Sequence, residues 1–187
     1  MTSEITTLNL ILRPFKISDA QKMFTNWANS KSVCKYLSWQ PHKNILETES
    51  IITSWVGRYN EPNFYQWCIV EKESNEPIGS ISVLRTFDKD KRAEIGYALG
   101  EKWWGKGYTT EALIGVIEYL FSNSEYLVIC AKHDTENIAS GKVMQKSGMK
   151  FIKQIKGGGK NNIHPVCDVN YYEIKKISKN QTETKTD

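Results

Sequence analysis

The stretch from Ala93 to Ala131 constrains this chain most. AEIGYAL (Ala93–Leu99) reads as a strand, EKWWGKGY (Glu101–Tyr108) as a glycine-punctuated loop, and YLVICA (Tyr126–Ala131) as a second strand. Between loop and second strand, Ala112, Leu113, Val116, Ile117, Leu120 and Phe121 fall on one broad helical stripe. Strand, helix, strand in that order is a crossover, which makes the two strands parallel neighbours.

The flanking segments predict antiparallel structure around that crossover. LNLILR (Leu8–Arg13) is a strand closed by Pro14. Ser18 with Gln21 predicts one capped helix, carrying Ala20, Met23, Phe24 and Trp27; Asn44 with Glu47 predicts a second, carrying Ile51, Ile52, Trp55, Val56 and Tyr59. The intervening residues 28–41 read as a loop with a short helical turn. FYQWCIV (Phe64–Val70) and IGSISVL (Ile78–Leu84), joined by ESNEP, extend a meander. Asn137–Ser147 is a further helix with Gly148 in the C′ position, and Phe151–Ile155 and Val166–Ile177 close the sheet around GGGKNN, read as a flexible turn. The expected fold is α/β, of mixed α+β type: a central sheet of about seven strands with about four helices and one parallel crossover.

A length of 187 residues suits one domain, expected over residues 1–177, with the polar residues 178–187 as a disordered tail. No run approaches the roughly 18 apolar residues of a membrane span, and the N-terminus has no signal-peptide pattern, so a cytoplasmic protein with no membrane partner is expected. Cys34, Cys68, Cys130 and Cys167 form no CxxC pair and read as reduced core thiols; His42, His133 and His164 lack ligand spacing, so no metal is expected. A net charge of +4 without a long basic block argues against nucleic acid. The lysines between Lys142 and Lys160 read as a solvated face, with a phosphate site as the other reading. Composition leaves a monomer and a homodimer equally open.

Gly105 and Gly107 free the loop backbone to approach a ligand, and the N–H groups opening the next helix favour an anion such as a pyrophosphate. Lys102 and Lys106 add positive charge. Neither this loop nor GGGK at Gly157–Lys160 has P-loop spacing. On the strand before the loop, Glu94, Gly96, Ala98 and Gly100 share one face, a carboxylate among very small residues against which a ligand could lie.

EIGYALGEKWWGKGYTTEAL resembles the central motif of the GNAT acetyltransferase superfamily, in the branch of ribosomal-protein N-terminal acetyltransferases. A second block, NIASGKVMQKSGMKF (Asn137–Phe151), resembles that branch's NxxSxxxxxKxGF signature, and the likeness extends over about residues 7 to 177. The resemblance implies acetyl-CoA as cosubstrate, bound by Ala98 and Leu99 along the strand, by Trp104, Gly105, Lys106, Gly107, Tyr108 and Thr109 in the loop, and by Asn137 and Ser140 in the second block. One departure is Lys102, where the family loop often begins with Gln or Arg; charge is kept, but bidentate bonding is lost.

Within that resemblance Glu94 is the candidate general base, directly or through water; the other reading is an ion pair with Arg92 or Lys91. Ser140 is the candidate acid or sulfur partner, with Tyr108 and Tyr172 as alternatives, while Asn137 also serves as an N-cap. Cys130 reads as a packed thiol rather than a nucleophile. Trp103 and Trp104 cover the cofactor or pack the loop, and Trp39, Trp55 and Trp67 line the core or the acceptor side.

The implied reaction is direct attack of a primary amine on the thioester, with the acceptor decided by the loops 28–45 and 157–164. A protein N-terminal α-amine, of ribosomal-protein type, leads; a small amine (antibiotic, polyamine or amino-acid derivative) is the alternative. A non-catalytic acetyl-CoA-binding module is the reading of another class.

Overall fold

The computed structural model describes residues 1–177; the expected disordered tail, 178–187, lies outside the described residues. Eight strands form one sheet: β1 (Ile5–Thr6), β2 (Leu10–Arg13), β3 (Gln66–Glu71), β4 (Glu76–Phe87), β5 (Arg92–Leu99), β6 (Val128–Asp134), β7 (Lys150–Gly159) and β8 (Cys167–Lys175). Their order is β1-β2-β3-β4-β5-β6-β8-β7, antiparallel throughout except for the parallel β5–β6 pair. The strand beyond the expected seven is the two-residue β1. No helix among the described residues is long and apolar enough to cross a membrane.

Five α-helices are present among the described residues: α1 (Ala20–Met23), α2 (Lys31–Cys34), α3 (Ile45–Arg58), α4 (Tyr108–Asn123) and α5 (Ile138–Lys146). The extra one, α2, is the short turn expected between residues 28 and 41. Asn44 caps α3 by accepting the Glu47 N–H at 3.0 Å. Ser18, in contrast, does not cap α1. The chain enters through a 3-10 turn, Ile17–Asp19, where the Asp19 carboxylate accepts the Lys16 N–H at 2.8 Å. Arg13 fixes that carboxylate with two hydrogen bonds of 2.7 and 2.8 Å, making it a stronger acceptor than a serine hydroxyl. After Met23 the helix widens into a π-helical turn, Phe24–Ala28.

The sheet divides two cores. On one face α4 and α5 bury Leu113, Val116, Leu120 and Met144 against Trp67, Ile69, Ile81, Ile95 and Ile129. On the other, α1, α2 and α3 pack Met23, Trp27, Val33 and Ile52 over Cys68, Val70 and Ala98. The strand parities read from the sequence set this division: Ile95 faces α4, Ala98 faces α1. Gly157–Gly159, expected in a flexible turn, belong to β7. A register shift between Ile155 and Gly159 carries the tract, Gly157 takes φ +57°, and Gly159 pairs with Cys167.

Candidate active site

The parallel pairing of β5 with β6 runs Arg92–Val128, Ala93–Ile129, Glu94–Cys130, and stops. Both strands continue, to Leu99 and to Asp134, so beyond Glu94 an edge of β5 stands open. The two strands thus splay apart, with β6 reaching three residues further than expected. The Gly100 N–H bonds Ile78 O on the β4 side at 2.8 Å. Backbone alternation therefore turns the peptide groups of Gly96 and Ala98 toward β4, and those of Tyr97 and Leu99 toward the open edge. A Cβ added at Gly79 would lie 2.4 Å from the Ala98 carbonyl, in keeping with that direction. Of the two expected strand contacts, Leu99 is thus on the open edge and Ala98 is not. The small-residue face is not bare either: a Cβ at Gly96 would strike the Leu84 side chain at 2.6 Å, and one at Gly100 the Asn26 carbonyl at 2.5 Å.

The loop after β5 leads into α4. Gly105 and Gly107 take φ of 78° and 85°, and nothing lies within 4 Å of a Cβ built on either, so backbone conformation rather than space demands glycine there. Among the described residues no backbone acceptor meets the N–H groups of Gly105, Lys106, Gly107 or Tyr108. With Thr109 in the first turn of α4 they form an anion-ready helix start. Trp104 is 51% exposed and donates its indole N–H to Leu99 O at 2.7 Å, folding the loop back onto the open edge. Trp103 is buried beneath.

One residue not singled out from the sequence holds this loop. Glu71, buried at the end of β3, accepts hydrogen bonds from Trp103 Nε1 (3.0 Å), the Tyr108 hydroxyl (2.9 Å) and the Ser74 hydroxyl (2.7 Å), and Lys106 Nζ stands 3.6 Å away. The Ser74 hydroxyl first, with Trp103, Tyr108 and Lys106, holds its carboxyl down at about 2 against the opposing effect of burial. Lys106 and Tyr108 therefore have their side chains drawn toward Glu71 while their N–H groups stay free. Nearby, Glu111 in the first turn of α4 accepts from the Thr7 hydroxyl (2.6 Å) and from the N–H and side chain of Asn9 (2.7 and 2.8 Å).

Glu94 is 4% exposed, at the last paired position before the splay. Its ion pairs are with Arg85 Nε (3.2 Å) and Lys132 Nζ (3.6 Å), not with Arg92 or Lys91. Arg92 instead engages Glu173 and the Tyr171 hydroxyl, and Lys91 pairs with Glu125. Strand register places Glu94, Cys130, Lys132, Asp134, Tyr171 and Glu173 on the same face. Polar groups of both signs thus floor one side of the cleft. Burial pushes the Cys130 thiol up, which disfavours the nucleophilic thiolate.

Ser140 stands on the other face. Asn137 caps α5 by accepting the Ser140 N–H at 3.3 Å, and the Ser140 hydroxyl lies 2.8 Å from the Tyr97 hydroxyl. Burial pushes the Tyr97 phenol up, so it remains protonated and able to donate. Tyr172 is buried between His133 and Phe151, and its hydroxyl accepts from Gln145 at 3.2 Å. The expected carboxylate and hydroxyl therefore flank the splay from opposite sides of the sheet. A groove of ≈ 750 Å³ runs along the outer side of α4 from Gly105 to Asn123 and is lined by neither of them.

The two loops expected to decide the acceptor meet. Asn162 donates its side-chain amide to Cys34 O (2.8 Å) and Trp39 O (2.7 Å), and accepts from Gln40 Nε2 (2.6 Å). On the same loop Asn161 and His164 bond the Asp134 carboxylate at 2.6 and 2.9 Å.

A splayed parallel pair thus stands beside a glycine loop and a helix start, and comparison with known proteins gives the family of this fold. The acetyltransferase (GNAT) domain model matches residues 9–150, and this chain belongs to that family. The uncharacterized N-acetyltransferase YoaA of Bacillus subtilis is 30% identical over 91% of this chain and 95% of its own length. Among solved structures, RimL, a ribosomal L7/L12 alpha-N-protein acetyltransferase in complex with coenzyme A, superimposes with a TM-score of 0.82 at 21% identity, covering 92% of this chain and 98% of its own. The microcin C7 self-immunity acetyltransferase MccE, in complex with acetyl-CoA and AMP, gives 0.79 at 22% identity, covering 89% and 92%. At those identities the likeness is one of fold.

Proposed function

We propose that this N-acetyltransferase transfers acetyl from acetyl-CoA to a primary amine by direct attack, with a peptide N-terminal α-amine as the leading acceptor. The observation that carries the reading is the open edge of β5 running straight into a loop of unpaired N–H groups. The edge offers the Tyr97 peptide group and the Leu99 N–H to an extended pantetheine arm, and the loop offers its N–H groups to a pyrophosphate. Residues Trp104 to Thr109 supply the anion site, through backbone rather than side chains.

The amine approaches on the Glu94 face and the sulfur leaves on the Ser140 face. Glu94, ion-paired with Arg85 and Lys132, accepts a proton through water; Ser140, oriented by Tyr97, protonates the departing thiolate. Bringing an α-amine to its neutral form at pH 7 costs about 1–1.5 kcal/mol, against about 4–5 for a lysine-type amine. An α-amine therefore asks little of a base.

A small-amine acceptor is the second reading, favoured by the Asn162 bridge, which ties the two acceptor loops to each other. The test is CoA release, followed by mass, over peptides, polyamines, aminoglycosides and amino acids. Turnover confined to one class selects it. Glu94→Gln and Ser140→Ala should lower kcat by about 10²-fold or more with acetyl-CoA affinity retained. Acetyl-CoA binding without turnover on any amine would leave a binding module.

A further inference from the structure

Glu94 pairs with Cys130 at the last register position of β5 and β6. Ala98 lies four residues beyond Glu94, and Asp134 four beyond Cys130, each about 13 Å further at ~3.3 Å per residue. Ala98 and Asp134 therefore stand at the same height on opposite sides of the splay and on the same face of the sheet. Glu94 sits at the bottom of the opening, under two cations; Asp134 sits at its mouth.

Asp134 is buried and heavily engaged. It accepts from the Glu136 N–H (2.8 Å), Asn161 Nδ2 (2.6 Å) and His164 Nδ1 (2.9 Å). Burial alone would raise its carboxyl, but those bonds hold it below the usual range, so it is a fixed anion behind the imidazole. Nδ1 faces the Asp134 carboxylate, so in a neutral ring that donates there Nε2 is the nitrogen that can accept. The ring is 31% exposed, and among the described residues Nε2 has no closer ion-pair partner than Glu136 Oε1, at 3.7 Å. The other charged or titratable groups facing this cluster are Cys167, bonded through Asn161, and Lys132 and Asp168 on the flanking strands. The same loop carries Asn162, whose bonds to Cys34 O and Trp39 O reach the elements packed over Ala98. His164 thus belongs to an arch that links Asp134, on one splayed strand, to the segment around Cys34 and Trp39 on the side of the other.

We infer that the Asp134–His164 pair is the group that receives the first proton of the incoming acceptor. This rests on the acetyltransferase reading above and deepens it. An ammonium acceptor must lose two protons to become an amide. At the mouth R–NH₃⁺ gives one proton to His164 Nε2, which passes it to solvent through its exposed edge. The neutral amine then attacks: the N–C bond forms, the C–S bond breaks, and the second nitrogen proton leaves by way of Glu94. Ser140 supplies a proton to the CoA sulfur and is replenished. The sum is one amide, one thiol and one proton released.

His164→Asn keeps an N–H donor for Asp134 and removes Nε2. At pH 7 its kcat/KM for an accepted amine should fall at least 10-fold, and more for a lysine-type amine than for an α-amine. The deficit should shrink as pH is raised and the amine arrives neutral, whereas the deficit of Glu94→Gln should persist. Independently of turnover, adding the acceptor to CoA-loaded enzyme should move the His164 Nε2 resonance in 15N NMR. A His164→Asn deficit that is absent, or equal at every pH and for both amine types, would overturn the inference while leaving the transferase reading intact. A wild-type protein that binds acetyl-CoA and turns over no amine would sink both.

Discussion

The hydroxyl of Tyr108, on the first residue of α4, donates a 2.9 Å hydrogen bond to Oε1 of Glu71, the last residue of β3. That bond ties the start of the helix to a strand on the far side of β4 and β5, and Trp103 and Lys106 converge on the same carboxylate. The loop's free N–H groups are aimed by a residue that touches none of them.

Replacing Glu71 by Ala should therefore cost about 1–3 kcal/mol of stability, because the buried Trp103 indole N–H and the Tyr108 hydroxyl lose their acceptor. The same variant should bind acetyl-CoA more weakly. Denaturant melts and calorimetric titration check the two together; unchanged CoA affinity in a folded Glu71→Ala protein would remove its role in holding the loop.

Glu71 also sets an acid limit. Its folded carboxyl lies at about 2, against an ordinary value of 4.5. A depressed carboxyl contributes stability in full above the unfolded value, and that contribution drains away as pH falls from about 4.5 toward 2. Glu71→Gln should be less stable than wild type at pH 6, and the gap should close across that window. Urea midpoints measured at pH 6, 4 and 2.5 would show it.

Gly141 permits α5 to lie against β6. A Cβ there would stand 2.7 Å from His133 Nε2 and 2.9 Å from Cε1, and His133 is pinned by its Nδ1 bond to Asp134 O at 2.7 Å. Gly141→Ala should cost about 1–3 kcal/mol despite the higher helix propensity of alanine, because a closely packed interior must shift. A thermal melt equal to wild type would show that the helix can slide.

Trp104 lies half-exposed on the open edge, bonded to Leu99 O. An extended ligand on that edge must displace or cover the indole. Acetyl-CoA should change tryptophan emission in the wild type, and Trp104→Phe should lose most of that change while still binding.

Much of this architecture is legible in the residues. The crossover, the left-handed glycines and the Asn44 and Asn137 caps are local signals, set by periodicity and by side chains three residues from their partners. What escapes a linear reading depends on distant partners. Glu71 looks like a turn residue because Trp103 and Tyr108 lie 32 and 37 positions away. The polar end of β6, Lys132–Asp134, reads as loop because the groups that satisfy it arrive from Glu94 and from residues 161–164. His164 has no local pattern at all. Ser18 misleads for the opposite reason: Asp19, one residue on, is fixed by Arg13 and takes over the turn.

The sheet order has a consequence for how the protein comes into being. β8 is the last strand of the described chain, yet it lies inside the sheet, between β6 and β7. During synthesis β6 has no outer neighbour, and β7 no neighbour at all, until residues 167–175 leave the ribosome and slot between them. The arch that carries His164 hangs from the hairpin that this insertion closes. The strands up to β5 can thus pair on the nascent chain, but the side of the cleft that carries the arch is completed only once residues 167–175 have emerged.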